Sequence, residues 1–572
     1  MKNTSIQFHA SHCRNIWRSQ VLSGFVLLLL TGNVLAENPA VPIPSLYQKK
    51  DLFEEAITAG KFERSPNRRV TGITVPHHLL APDLISLGFH SAAGGSYERV
   101  LLLSPDHFRR ARKPFATTTR DFLTVLGEVP TDVETVKTLC LRNHLVEEAD
   151  LFDREHGIQT MLPFVAHFFP NAKVIPLAIR ADSDSQDWRE LVDVLKPLIS
   201  EQTLIVQSTD FSHYLTESVA NRRDQETMNV ISGGSLDELS RLQQPQHLDA
   251  LAAQWIHQAL QAEVFGARPT VVAHRNSNHY TATPQRETTS YLVQVFEKES
   301  SINPPWPAQE GDALFFFAGD TFLGRNFLPI VSHPDSAAEI QQRISLLTGG
   351  APLILNLEGV LSEEASTDQE ENTLLMPDTL TLDWLRALNV VGVSLANNHS
   401  HDRGQIGWER SRRKLEKHGI AVVGDQETHD FGPFRLAALT DLSNQVKPYT
   451  QRLNREIILS ALPEKTPDPL FCFLHWGREW MGEPGAREEQ LTRHFFEGGA
   501  SVILGAHPHT VSKGVEALRG GRNARVYSMG NFLFDQRSPK ASGALIEARF
   551  FQSGTYALRW IPLENPYEPK AP

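Results

Sequence analysis

Six residues in the second half of the chain, Asp320, Glu358, Asn398, His475, His507 and His509, are of the types that bind divalent metal ions. A pair of such ions needs oxygen and imidazole donors converging from several strand ends, with one carboxylate bridging both. His507 and His509 stand two apart around Pro508, which enforces an irregular turn and lets both imidazoles reach neighbouring ions. Asn398 and His399 place a carbonyl ligand beside an imidazole that coordination does not need, and that ring can act as an acid. The chemistry to which this set points is metal-dependent hydrolysis. Arg325 and Arg478 are cations that could hold an anionic substrate.

A second set lies in the first half: His77, His107, His156, Asp210 and His213. Neutral imidazoles with a carboxylate and open coordination positions suit one iron, copper or zinc ion.

These side chains recur at one kind of position. Short β-branched or apolar runs end abruptly in His, Asp, Glu or Asn, and an amphipathic stretch follows. In the first half the runs are 70–75, 99–103 and 203–206; in the second they are 314–318, 353–357, 390–395, 471–474 and 501–504. Amphipathic periodicity predicts helices over 334–347, 380–388, 408–418 and 487–498. Apolar runs of this length alternating with helices predict buried strands in α/β sheets, whose ligands collect at the carboxyl ends of the strands. The stretch 297–311, with Pro304, Pro305 and Pro307, divides two α/β blocks and reads as a linker. The expected organisation is a signal at 1–36, a lead-in at 37–64 with some helix around Leu52 to Ala56, and domains at 65–296 and 312–566.

Lys2, Arg14 and Arg18, the apolar run Val21 to Leu30 and the small-residue site Val34-Leu35-Ala36 read as an export signal. The expected location is therefore periplasmic or extracellular, with membrane attachment only if the signal stays uncleaved. Loss of those three cations takes the formal net charge from −12 down by three, to −15. An acidic protein of this kind is not expected to bind nucleic acid, which needs basic patches. Of three cysteines, Cys13 leaves with the signal, and Cys140 and Cys472 fall in different blocks, so no disulfide framework is indicated.

Six ordered segments resemble the calcineurin-like metallophosphatases, and more closely their CapA-type branch, linked to poly-γ-glutamate capsules. They are Ala318-Gly319-Asp320, Asn356-Leu357-Glu358-Gly359, Leu395-Ala396-Asn397-Asn398-His399, His475-Trp476-Gly477, Gly505-Ala506-His507-Pro508-His509 and Tyr527-Ser528-Met529-Gly530-Asn531-Phe532. The resemblance implies two divalent ions (manganese, zinc or iron) bridged by Glu358, with Asp320 and His509 on one and Asn398, His475 and His507 on the other. It implies that His399 protonates a leaving group while metal-activated water attacks. The chain departs from the wider superfamily at Phe322, where a histidine is usual, and in having Glu358 as the bridge rather than an aspartate.

In the first half, Val75-Pro76-His77-His78, Leu103-Ser104-Pro105-Asp106-His107, Glu155-His156-Gly157 with Leu162-Pro163-Phe164, and Ser208-Thr209-Asp210-Phe211-Ser212-His213-Tyr214 resemble the Memo-like family. That family corresponds to protein B of the AmmeMemoRadiSam system and is related in fold to extradiol dioxygenases. The resemblance implies His77 and His107 at a metal, with His156, Asp210 and His213 around the same cavity. The family's later Cys-Gly element is missing: residues 248–255 contain no cysteine.

The leading expectation is an exported hydrolase acting on an anionic envelope or capsule polymer, through a γ-glutamyl amide or phosphoester bond, alongside envelope biosynthesis machinery. Two other readings stay open: a non-catalytic polymer-binding factor, favoured by Phe322 and the absent thiol, and redox chemistry at the first-half site.

Overall fold

Residues 70–75, 99–105, 173–179 and 203–208 are almost wholly buried apolar runs, and as parallel strands they form the middle of a nine-stranded sheet. The computed structural model describes residues 41–59, 68–298, 303–367, 372–443, 452–464, 467–536, 538 and 540–563. The expected signal, both ends of the lead-in (37–40 and 60–64), residues 299–302 of the expected linker and the last three residues of the second domain lie outside them. The path of the sheet runs Ala267–Asn276, Thr288–Lys298, Val70–Val75, Thr203–Ser208, Arg99–Pro105, Lys173–Ile179, Phe115–Thr117 and Val146–Glu148; His213–Leu215 pairs with Thr288–Lys298. Buried on both faces, such strands need helices on either side. Pro82–Ala92 and Leu162–Phe168 cover one face with Ile85, Phe89 and Phe164, and Ser185–Leu195 and Leu251–Leu260 cover the other with Leu191 and Ile256. The lead-in helix expected around 52–56 is Lys50–Ala59, held through buried Phe53.

The second domain has two sheets. The seven-stranded one runs Ala421–Val423, Val390–Ser394, Leu353–Leu357, Ala313–Thr321, Gly543–Phe550 and Tyr556–Leu563, with Asn531–Leu533 paired to Ala313–Thr321. The six-stranded one runs Glu427–Asp430, Arg435–Thr440, Leu470–His475, Val502–Ala506, Asn523–Val526 and Glu516–Leu518. Phe317, Ile354 and Ile546 of the first sheet pack with Phe471, Phe473, Val502 and Leu504 of the second, the interior of an α/β sandwich. The helices Pro334–Thr348, Asp378–Ala387, Gly404–Lys417 and Ala486–Glu497 lie within two residues of the predicted starts, except that Gly404–Lys417 begins four earlier. Parallel pairing of Leu353–Leu357 with both neighbours, and of Leu470–His475 with Val502–Ala506, puts the carboxyl ends on one edge of each sheet.

The stretch expected as a linker differs from that description. Glu297 lies inside the strand Thr288–Lys298, where Arg68 donates to it with two nitrogens at 2.6 and 2.7 Å and Trp306 Nε1 donates at 3.0 Å. Buried Arg549 donates to the carbonyls of Trp306 and Pro307, and Trp306 is 2% exposed. A buried carboxylate must be matched by donors, and these donors fasten the described part of the stretch down.

The two domains also share a face. Helix Glu217–Gly233 runs along Tyr556–Leu563 and Glu516–Leu518. Gln225 exchanges both amide bonds with the backbone of Tyr556, at 2.9 and 2.8 Å, and Asn229 donates to Gly521 O at 2.8 Å. His274, fully buried, meets Asp224 at 2.9 Å and Ser553 at 2.9 Å. Among the described residues no helix is long and apolar enough to cross a membrane.

Candidate metal centres

Asp320 is the last residue but one of a strand of the seven-stranded sheet, Glu358 follows the next, and Asn397 and Asn398 follow the third; His475 ends a strand of the other sheet, and His507 and His509 follow its neighbour. All six predicted ligands converge. Two groups of three donors lie within 4.8 Å: Asp320 with Glu358 and His475, and Glu358 with His507 and His509. They share Glu358. This crosses the expected ion assignment, which set His475 with His507 and Asp320 with His509, although His509 Nδ1 is also 3.3 Å from Asp320 Oδ2. His475 Nε2 lies 2.8 Å from Asn398 Oδ1 and 3.7 Å from Glu358 Oε1.

The site fits cations. Glu358 Oε2 and His507 Nδ1 are buried without a hydrogen-bond partner, an arrangement that is costly unless something charged meets them. Burial and the neighbouring Asp320 charge push the Glu358 carboxyl well above its ordinary value. Burial pushes His475 down to about 3 and His507 well below its ordinary value. Burial opposes ionisation of Asp320 as well, yet the hydrogen bond and charge of His509 hold its carboxyl low. Two carboxylates and three imidazoles in one dry cleft are what a dication stabilises, at the cost of the protons the ligands must shed. The backbone is strained at the same place, since His507 and His509 both have positive φ, 92° and 55°. Strain at a non-glycine residue persists only where packing over-determines it, as at ligand clamps.

Two asparagines and an aspartate orient this set. Asn356 Nδ2 donates to Asp320 Oδ1 at 2.8 Å and lies 3.2 Å from His475 Nδ1. His509 Nδ1 is 2.7 Å from Asn531 Oδ1. His399 sits at the rim with Nδ1 2.8 Å from Asp402 Oδ2, so Nε2 is the nitrogen that can carry a proton to or from a bound molecule. The predicted anion-holding arginines separate. Arg325 spends its fork on Asp535 at 3.0 and 2.7 Å, its guanidinium lying 5.0 Å over the Phe322 ring, so it is committed to the protein itself. Arg478 is exposed. Phe322 is fully buried against Phe534.

In the first domain His77, His107 and His156 bring their donors within 4.8 Å of one another, and so do His77, Asp210 and Asp249. His77 Nε2 and His107 Nε2 are 3.2 Å apart. Each ring is aimed by its other nitrogen: His107 Nδ1 meets Glu155 Oε1 at 2.5 Å, and His77 Nδ1 meets Ser208 Oγ at 3.2 Å. Outer partners of this kind fix the tautomer of metal-binding histidines. Burial works against its proton, but Asp249 and Glu155 raise His107 to about 10. Asp210 Oδ1 accepts the backbone N–H of His77 at 3.0 Å. The His156 ring lies at a 33° tilt against His107, ring centres 3.9 Å apart, and burial with the His107 charge pushes it down to about 4. His213 turns Nδ1 back to Phe211 O.

Residues 47–295 match the family model of Memo-like protein, and residues 314–436 and 433–536 match that of bacterial capsule synthesis protein PGA_cap. The chain joins a Memo-like domain to a PGA_cap domain. The PGA_cap domain is similar to the PGA biosynthesis protein CapA of Bacillus subtilis (strain 168), with 25% identity over 273 residues, 43% of this chain and 70% of that protein. It is similar to the capsule biosynthesis protein CapA of Bacillus anthracis at 26% identity over 295 residues, 47% of this chain and 71% of that protein. The Memo-like domain is similar to a MEMO1 family protein of Aquifex aeolicus (strain VF5), 28% identical over 188 residues; that match covers 32% of this chain and about half, 47%, of the relative.

Several residues of these centres escape sequence reasoning. In the PGA_cap domain Asn356 is two before Glu358, so strand alternation could have flagged it, and Asp402 is three after His399. Asn531 stands in a motif but has no ligand spacing. In the Memo-like domain Glu155 caps a four-residue helix, and Asp249 stands alone before the helix Leu251–Leu260, in the stretch notable in the sequence only for lacking cysteine.

Proposed function

We propose that the PGA_cap domain is a metal-dependent hydrolase of an anionic capsule or envelope polymer, cutting a γ-glutamyl amide or phosphoester bond outside the cytoplasm. The observation that carries this reading is the pair of ligand groups meeting at Glu358, whose outer carboxylate oxygen and whose neighbour His507 Nδ1 are buried without partners. Two divalent ions there would lower the pKa of an attacking water and neutralise charge building on the scissile centre. The chain supplies the rest. Asn356 and Asn531 orient Asp320 and His509, and Asp402 orients His399, whose Nε2 gives a proton to the leaving group. Export is supported by the cationic and apolar residues Lys2 to Leu30, and a capsule substrate by the relatives named for capsule biosynthesis. The partners in this reading are the polymer and its biosynthetic machinery.

Full-length protein loaded with manganese, zinc or iron should hydrolyse a chromogenic phosphodiester or a γ-glutamyl polymer. His399→Ala should lower turnover by about 10²–10⁴-fold, the usual contribution of a general acid, with the metal retained. Hydrolysis that is equal before and after chelation, or failure to take up metal under every loading condition, refutes the reading.

A further inference from the structure

We propose that Trp480 and Arg478 form the subsite that grips the polymer beside the bond to be cut, and that they select a repeating unit with methylenes next to a free carboxylate. The assignment rests on the hydrolase reading in taking an anionic polymer as the ligand of the centre built on Glu358.

Both residues stand on the connection between the strand Leu470–His475 and the helix Ala486–Glu497, just past His475. That connection folds back onto the turn that carries the other two imidazoles. Trp480 N–H donates to Pro508 O at 2.8 Å, between His507 and His509, and the indole ring centre is 6.0 Å from that of His509. Met481 N–H closes a turn on Arg478 O at 3.3 Å. Close backbone approaches pin the connection on both sides of the tryptophan. A Cβ at Gly477 would lie 2.3 Å from Tyr527 Oη, and one at Gly482 would lie 2.7 Å from Val511 O.

Trp480 itself has φ 64°. A bulky residue in the left-handed region is an outlier, and such strain persists where position matters. Packing does not account for it. Trp480 is half-buried and belongs to none of the hydrophobic clusters among the described residues, and Met481 is 52% exposed. What the strained turn secures is an indole face and a thioether at the edge of the metal centre, where both can meet a bound chain.

Arg478 is exposed and has no ion-pair partner among the described residues, unlike Arg325, which Asp535 holds. A free guanidinium two residues from an aromatic platform matches a unit with an apolar stretch and a branch carboxylate. Glu479, between them and also exposed, adds a third carboxylate near Asp320 and Glu358. Its charge disfavours an anionic scissile group and makes a neutral amide the better fit. A γ-glutamyl unit meets these conditions together, with its methylenes, free α-carboxylate and uncharged linkage.

The probe is a fluorescein-labelled γ-glutamyl oligomer. Its affinity is read by anisotropy on the full-length, metal-loaded chain carrying His399→Ala, in which cutting is slowed. In this background Trp480→Ala should weaken binding by about 10-fold or more, the loss typical of an aromatic anchor. Trp480→Phe should restore affinity to within about threefold, since it keeps an aromatic face. Arg478→Gln should weaken binding by about 2–5-fold, as exposed ion pairs do, and make it less sensitive to salt. Metal content should be equal in all variants. Trp480→Gly, which takes φ 64° without strain, decides the matter if Trp480→Ala does not fold. Unchanged affinity in either variant, affinity lost only together with metal, no binding of the probe, or tighter binding of a poly(glycerol phosphate) oligomer overturns the assignment. Turnover is read separately on the chain with His399 intact. Turnover with affinity indifferent to Trp480 defeats this inference alone; Trp480-dependent binding without turnover defeats the hydrolase reading alone.

Discussion

Asn356→Ala tests whether the PGA_cap centre is organised from its outer shell. The side chain is 1% exposed and makes contacts in three directions: to Asp320 Oδ1 at 2.8 Å, to His475 Nδ1 at 3.2 Å and from Asn397 Nδ2 at 3.1 Å. Alanine leaves Asn397 its second acceptor, Leu357 O at 2.9 Å, and leaves Asp320 Oδ2 its backbone donor at His507, 2.9 Å away. The main loss is one charge-assisted hydrogen bond, worth about 1.5–3 kcal/mol. Asp320 and His475 are then free to swing away from the geometry an ion needs. Outer-shell losses of this kind cost about 10–100-fold in metal affinity, or about 1.4–2.7 kcal/mol. Urea unfolding of the metal-free protein reads the hydrogen-bond loss, and competition of the loaded full-length protein against a chelator of known affinity reads the loss of binding. Any metal held by the His77–His107 group of the Memo-like domain serves as the internal control and should not move. A folded Asn356→Ala protein with metal affinity within about threefold of the unaltered chain would show that Asp320 and His475 need no such support.

Two other expectations concern the frame around the centres. His257 is fully buried, with Nδ1 3.0 Å from Gln207 Oε1, and burial pushes it from 6.5 down to about 3. The unfolded chain therefore takes up this proton first as pH falls. Stability is fully present above 6.5 and is lost between 6.5 and about 3 at about 1.4 kcal/mol per pH unit. Urea midpoints from pH 7 to 5 should fall accordingly and flatten in His257→Gln; parallel slopes in the two proteins contradict this. Gly521 has φ +85° and would place a Cβ 2.2 Å from the carbonyl oxygen of Glu226 in the other domain. Gly521→Ala should weaken the contact between the domains by about 1–3 kcal/mol and split one calorimetric transition into two; a single unshifted transition would show that the face yields without cost.

Much of this protein is written locally. Buried strands announce themselves as apolar runs, and each run that stops at a histidine, carboxylate or asparagine marks a carboxyl end where ligands gather. Asp320, Glu358, Asn398, His475, His507 and His509, and His77 with His107, are legible for that reason, as are the four predicted helices of the second domain. What an isolated residue touches across the fold is not written locally. Asp249 follows no strand of its own and matters only because the sheet's carboxyl edge closes over it, and Arg325 looks available until Asp535, 210 positions away, takes its fork. The stretch at 297–311 has the composition of a spacer, yet its described residues Glu297, Trp306, Pro307 and Glu310 are held by Arg68, Arg549 and Gln552. Which ligands share Glu358, and which face joins the domains, follows from how separate strands pack: side-chain periodicity sets which way a residue points, and only tertiary contact sets what it meets.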